Sequence, residues 1–440
     1  MRFGITARRS PALTTLMVLS ISLTGCSSGS LGSSGDKDKL TLDFLVPTGP
    51  DSLPVGEQLA RDFSASHPDI KVDVEARPGG GEGDNVVKTR LATGEMADVF
   101  QYNTGSLFQA IDPEKNLVPV TDEDWARNLG DLFVPTASVG DQVYGAPFGS
   151  SMGGGVLYNR KVYADLDLKV PKTWDEFMKN NAKIKDAGIA PVIQTYQETW
   201  TSQLFVLGDY HNVAAAEPGF AKKYTANDLK YATSPAALRG FKRLQEVHDA
   251  GYLNKGFASA TYEQGLRMIG KGEGAHYPML TNAISPVVKA VPSAKENMGF
   301  FALPGEDAAK NGLTAWAPAA TYIPKSTKGE KLKAAKEFLA FMASPAGCKS
   351  FAKAQPPSGP YSVKGCELPA NAPQAVKDTQ RYFEDDAVTP ALEFLSPVKG
   401  PALEQICIEV GSGIRPAKKG AQLYDKDVAK QAKQLGLKGW

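Results

Sequence analysis

An α/β fold divided into two lobes is the architecture this sequence predicts, on three observations. Its 440 residues exceed what one hydrophobic core supports, so two domains are the default. From residue 40 onward, segments of period-two hydrophobicity alternate with segments of helical period, the mark of a parallel sheet with helical crossovers. The strand pattern then starts again behind a cluster of glycines, Gly153, Gly154 and Gly155.

Each element has its own justification. Residues 40–46 alternate with the spacing of a half-buried strand, which Pro47 ends. Residues 55–66 set Leu59 and Phe63 at helical spacing, and Pro68 and Asp69 open a second alternating strand at residues 70–75. Strand, helix and strand in so short a stretch form a βαβ unit. The pattern repeats, with a helix over residues 84–93 that puts Val87 and Leu91 on one face, then a strand over 97–102. Beyond the glycines comes a strand at 155–158. Thr173 and Glu176 match a capping box, in which each satisfies backbone groups of the first turn, and it opens a helix to about residue 186. Residues 191–194 read as the next strand, and 234–250 and 261–271 as helices. Residues 331–343 are amphipathic, with Leu332, Ala335, Phe338, Leu339 and Met342 on the inner face, and 427–435 form a terminal helix. No internal repeat is present.

Charge and leader bound the function. Lys and Arg number 49 against 48 Asp and Glu, a balance that argues against nucleic acid or any polyanion as partner. At the start, Arg2, Arg8 and Arg9 precede an uncharged stretch, residues 12–23, too short for a permanent span but suited to an export signal. Leu23, Thr24, Gly25 and Cys26 resemble the bacterial lipobox, which implies cleavage before Cys26 and a diacylglycerol on its sulfur. Two acyl chains anchor durably where one would bind marginally. Residues 1–25 are thus expected to be a signal peptide and 26–39, rich in Ser and Gly and then charged, a lipidated flexible tether. The protein is expected to work outside the cytoplasmic membrane, held to it by Cys26.

Three cysteines remain. Cys348 and Cys366 flank the turn-rich stretch 355–360, and a short loop folded back by prolines makes them the preferred disulfide pair in an oxidising compartment. Cys407 stands in an apolar run and reads as a buried free thiol. With no Cys-x-x-Cys and four scattered histidines, neither a metal nor a cofactor is expected.

Five stretches, in order, resemble one family. Ala97 to Tyr102 resembles a "PDV-aromatic" strand end, and Tyr144 to Pro147 followed by Gly155 to Asn159 resembles a crossover between lobes. Pro171, Thr173, Trp174, Glu176 and Phe177 match "P-x-T-W-x-E-F"; Gly270 to Tyr277 resembles "G-x-x-A-M", and Ala335 to Pro345 resembles "A-x-x-F-x-x-F-x-x-S-P". Behind a lipobox, this set is similar to the extracellular solute-binding lipoproteins of bacterial ABC importers, carbohydrate-binding type (family 1). The resemblance implies a periplasmic-binding-protein-like fold of two α/β lobes joined by three chain crossings, near Phe148, Trp316 and Asp385, that close as a hinge. It puts residues 40–148 and 317–384 in the N-terminal lobe and 149–316 and 385–440 in the C-terminal lobe. It further implies a non-enzymatic monomer that captures a neutral carbohydrate and passes it to an ABC permease. A quaternary ammonium compound is the alternative ligand, and a cell-surface hydrolase the rival activity. Gly105 departs from the family, because maltose-type relatives often carry an acid there.

In α/β sheets ligand binds beyond the carboxyl ends of the strands. That rule selects Thr48 after the first strand, Tyr102 and Asn103 after the strand at 97–101, and Phe148 and Ser150 at the first crossing. A sugar needs aromatic faces and planar polar groups. Trp200 matches a family position that supplies a stacking ring, and Trp316, Tyr277 and Asn282 complete the expected set. Three look-alikes are set aside. Gly149, Ser151 and Gly153 satisfy G-x-S-x-G, but a strand follows instead of the helix a nucleophile elbow opens. The glycines of residues 79–83 lack the Lys-Ser/Thr ending of a phosphate loop and read as a flexible turn. Glu273 near His276 reads as a solvated helix end.

Overall fold

The computed structural model describes residues 39–49 and 52–440. The expected signal peptide, Cys26 and the expected tether up to residue 38 lie outside the described residues. The strands are β1 (Leu40–Pro47), β2 (Ile70–Arg77), β3 (Val99–Asn103), the short pair β4 (Ser138–Val139) and β5 (Gln142–Val143), β6 (Gly145–Pro147), β7 (Met152–Asn159), β8 (Ala190–Val192), β9 (Gly274–Leu280), β10 (Met298–Ala302), β11 (Leu313–Trp316), β12 (Ala319–Tyr322) and β13 (Val388–Pro390).

They form two main sheets, one in each lobe of an α/β fold. The first runs β2-β1-β3-β12-β6, with β1 parallel to β2 and β3 and β12 antiparallel to β3 and β6. The second runs β13-β11-β7-β9-β8, with β10 beside β11 on the same edge of β7. Parallel β1, β2 and β3 point their carboxyl ends in one direction, so the loops after them gather at one end of the sheet.

The first core forms where the helix Gly329–Met342 lays Ala335, Phe338, Leu339 and Met342 against β1. Phe338 meets Phe44 and Phe63 edge-on at 5.3 and 5.0 Å between ring centres, a favoured aromatic geometry. The second sheet is covered by the helices Trp174–Asp186, Pro235–Asp249, Leu403–Gly411 and Ala417–Gln434 on one side and by Tyr262–Lys271, Ile284–Ala290 and Gln374–Glu384 on the other. Thr173 caps the first of these with the full reciprocal capping box. Deep in this lobe the Arg243 guanidinium pairs with Asp209 and stacks on the Trp174 ring, so two buried charges answer each other.

Three local expectations change. Residues 80–83 are not a turn but the first turn of the helix Gly80–Thr93, entered from extended Gly79. The terminal helix is longer than the apolar spacing indicates, Ala417–Gln434, because small Ala417, Gly420 and Ala421 make its first contacts. The helix Gln374–Glu384, expected with the first lobe, packs Ala375 and Val376 into the core of the second. Its Asp378 and Tyr382 side chains accept from the backbone N–H groups of Phe300 and Ala302 on β10. Cys348 and Cys366 are joined by a disulfide (S–S 2.05 Å), and Cys407 is buried and free, its thiol pushed up in pKa by burial. Among the described residues no helix is long and apolar enough to cross a membrane.

Candidate solute-binding cleft

The chain passes between the sheets at residues 148–151, which join β6 to β7, and at Ala317 and Pro318, which join β11 to β12. Because β12 pairs with β6 and β11 with β7, these two crossings run side by side. A third passage lies between the helices Pro345–Ala354 and Gln374–Glu384. It is stitched to the first. Ser358 donates its N–H to Ser150 Oγ (2.9 Å), Ser151 donates its N–H to the Pro360 carbonyl (2.8 Å), and the hydroxyls of Ser151 and Ser362 meet at 2.7 Å.

A cavity of about 240 Å³ opens against these crossings. The first lobe supplies Ser52 and Val55 behind β1, Gln101 on β3, Ala319 on β12, and Phe351, Gln355, Ser358 and Tyr361 around the third passage. The crossings supply Phe148, Gly149, Ser150 and Pro318, and the second lobe Met152 and Asn282. Among these described lining residues none carries a formal charge. Tyr361 is the one titratable group among them, and burial pushes its phenol up to about 12. The polar lining consists of amides and hydroxyls, groups that both donate and accept.

Gln101 has a defined orientation. Buried Arg77 at the end of β2 donates from Nη2 to the Gln101 carbonyl (3.2 Å) and to its Oε1 (3.4 Å). A guanidinium only donates, so the amide oxygen faces Arg77 and the NH₂ is left for the cavity.

The structure gathers three of the expected site residues, Phe148, Ser150 and Asn282, at this cavity. Thr48 is exposed just outside, its N–H bonded to the Arg77 carbonyl at 2.8 Å. Tyr102 is buried, with Arg77 5.8 Å from its ring centre, and burial together with the Asp84 charge raises its phenol pKa. Asn103, opposite Ala319 on β12, accepts through its carbonyl from the Tyr322 hydroxyl (3.1 Å). Trp200 is 37 % exposed and tilted on Tyr262, away from the cavity lining. Three expectations fail on burial, that for fully buried Tyr102 among them. Tyr277 is fully buried and bonds Thr195 with its hydroxyl (2.7 Å), so it is a core residue of β9. Trp316 is 5 % exposed, its indole N–H bonded to Glu393 and its ring packed on Gly154, where any side chain would collide with it. Gln101, Met152, Phe351, Ser358 and Tyr361 are lining residues that sequence reasoning missed. The prolines of residues 355–360 were a visible signal, but of a turn, not of a cleft wall.

Gly105 also finds its reason here. It adopts φ +65°, open to glycine at no cost, and Phe394 of the second lobe fills the space a side chain would take. The lobes therefore touch directly at this point.

Comparison with known proteins identifies the fold and the family. The multiple sugar-binding protein of Streptococcus mutans is 26 % identical over 364 residues, covering 80 % of this chain and 82 % of that protein. The melibiose/raffinose/stachyose-binding protein MelE of Bacillus subtilis is 23 % identical over 396 residues, 86 % of each. Among solved structures, apo RafE of Streptococcus pneumoniae superposes with a TM-score of 0.74 at 19 % identity, over 91 % of this chain and 99 % of that one, a likeness of fold. The family model described as bacterial extracellular solute-binding protein matches residues 51–348. The chain belongs to the bacterial extracellular solute-binding protein family.

Proposed function

We propose that this protein captures a neutral carbohydrate in the cleft between its lobes and delivers it to an ABC transporter permease, without catalysing a reaction. The observation that carries the ligand class is the uncharged cavity lining of amides and hydroxyls beside apolar side chains. Hydroxyl-rich neutral ligands match such groups, whereas a charged solute would leave its charge uncompensated. The relatives named for sugars support the same class. Phe148, Ser150 and Asn282, with Gln101, Ser358 and Tyr361, form the proposed contact set, and Thr48 and Asn103 border it. The proposed lobes are residues 39–147 with 319–366, and 152–316 with 374–440. The monomer is tethered outside the cell membrane through lipidated Cys26.

The ammonium alternative draws on Phe148, Phe351 and Tyr361, three aromatics on one cavity. A cation cage needs open ring faces. Phe148 and Phe351 are 8 % and 4 % exposed and lie edge-on to each other at 5.7 Å, which favours the sugar.

A thermal-shift panel of galactose, melibiose, raffinose, stachyose, maltotriose and glycine betaine tests the reading, since a ligand of the folded state raises the midpoint. A sugar is expected to raise it, with affinity flat in salt and between about pH 6 and 9, because no described lining group titrates there. A shift by betaine alone overturns the carbohydrate assignment. Cys26→Ser should abolish incorporation of labelled palmitate; an unlabelled wild type would refute the anchor.

A further inference from the structure

We propose that the Cys348–Cys366 disulfide is a positioning element of the binding cleft, holding one cavity wall to the first lobe. The link to binding rests on the cleft being the solute site.

Phe351, Gln355, Pro356, Pro357, Ser358 and Tyr361 all line the cavity, and all lie between the two cysteines. The covalent loop and the cleft wall are thus the same piece of chain. Cys348 is anchored in the helix Pro345–Ala354, 3 % exposed within the first core, and Cys366 packs against that core. The wall itself is irregular after the helix ends. Apart from the disulfide, it meets the first lobe through Phe351, Val363 and Tyr361, which pack in or against the first core, and through backbone bonds that include Gly130 N–H to the Ser362 carbonyl (2.8 Å) and Lys364 N–H to the Asn128 carbonyl (2.7 Å). Its bonds to Ser150 and Ser151 run to a crossing, which bends when the lobes move.

Just past Cys366, residues 367–373 lead to the helix Gln374–Glu384, which belongs to the core of the second lobe. Any rotation of the second lobe pulls on the chain here. With the disulfide closed, that pull ends at Cys366 and is carried by the helix at Cys348, so bending is confined to 367–373. With it absent, the pull passes into the wall, and Ser358 and Tyr361 lose their fixed places. Loss of pre-organisation lowers affinity without removing a single ligand contact.

The test compares full-length wild type with the Cys348→Ser/Cys366→Ser variant by hydrogen–deuterium exchange without ligand, and by titration with the most stabilising panel sugar. At labelling times too short for global unfolding, amides of residues 355–366 should exchange at least about tenfold faster in the variant, while those of β1 and β3 stay protected. Sugar affinity should fall about three- to tenfold. Should the variant not fold, wild type is treated with dithiothreitol, whose two thiols reduce the S–S bond to two thiols while closing to the cyclic disulfide. At those short labelling times, unchanged exchange at 355–366 overturns the proposal, as does loss of protection spread over the whole first lobe. A loosened wall with unchanged sugar affinity overturns the role in binding. If no sugar binds wild type, the carbohydrate reading fails by itself, and the exchange result still decides whether the disulfide holds the wall.

Discussion

Gln101 and His276 show how much a single side chain depends on what faces it. Gln101→Glu keeps the shape and the contact with Arg77 but replaces the cavity-facing donor by an acceptor. Its melting midpoint should stay within about 3 °C of wild type, while sugar affinity measured by calorimetry drops about tenfold, the loss of one hydrogen bond of about 1.4 kcal/mol. Equal affinity would place Gln101 in the wall without a role in recognition. His276 is fully buried, within 2.6 Å of the Tyr163 hydroxyl and 2.9 Å of Asn181 Oδ1, and burial pushes its pKa down to about 3. The unfolded chain takes up this proton near pH 6.5, so its contribution to stability is complete above that pH and drains away as pH falls toward 3. The slope approaches about 1.4 kcal/mol per pH unit. Urea titrations at pH 7 and 5 should show that loss in wild type and a flatter response in His276→Gln. The same burial separates Tyr277 from Asn282. Tyr277 sits in the middle of β9 and Asn282 just past its end, and only the residue past the strand reaches the cavity.

Elements were legible where their determinants are local. The period-two strand β1 and the Thr173 capping box need only neighbours in sequence to form. The inner face of Gly329–Met342 was readable too, and Phe338→Ala should cost about 3–5 kcal/mol in chemical denaturation, because the ring fills a closed aromatic cluster. A cost under about 1 kcal/mol would mean the cluster collapses around the gap. The glycine-rich start of Gly80–Thr93 was not readable, since glycine disfavours helix and only the structure around it decides otherwise. Removing the disulfide should lower unfolding free energy by about 3 kcal/mol for a loop this short, read in denaturant under oxidising conditions.

For the whole molecule, the expected motion is rotation of two intact cores about three narrow passages. Solution scattering should show a smaller radius of gyration when the sugar found by thermal shift saturates the cleft. An unchanged radius at saturation would mean a preformed pocket. Contact between Phe394 and Gly105 already joins the lobes away from the crossings.

The chain itself determined its class, its family and its first strands and helices, because hydrophobic period, caps and short motifs act between residues close in sequence. It also pointed to Phe148 and Ser150, by a topological rule, and to Asn282, all three of which line the cavity. What only the tertiary structure decided is which side chains turn inward. Trp316 and Tyr277 look like ligand aromatics until packing closes over them, and the helix Gln374–Glu384 looks like part of the first lobe until β10 claims its apolar face. Gln101, Ser358 and Tyr361 become a cavity wall because residues far apart in the chain meet there, and no local pattern in the sequence encodes that meeting.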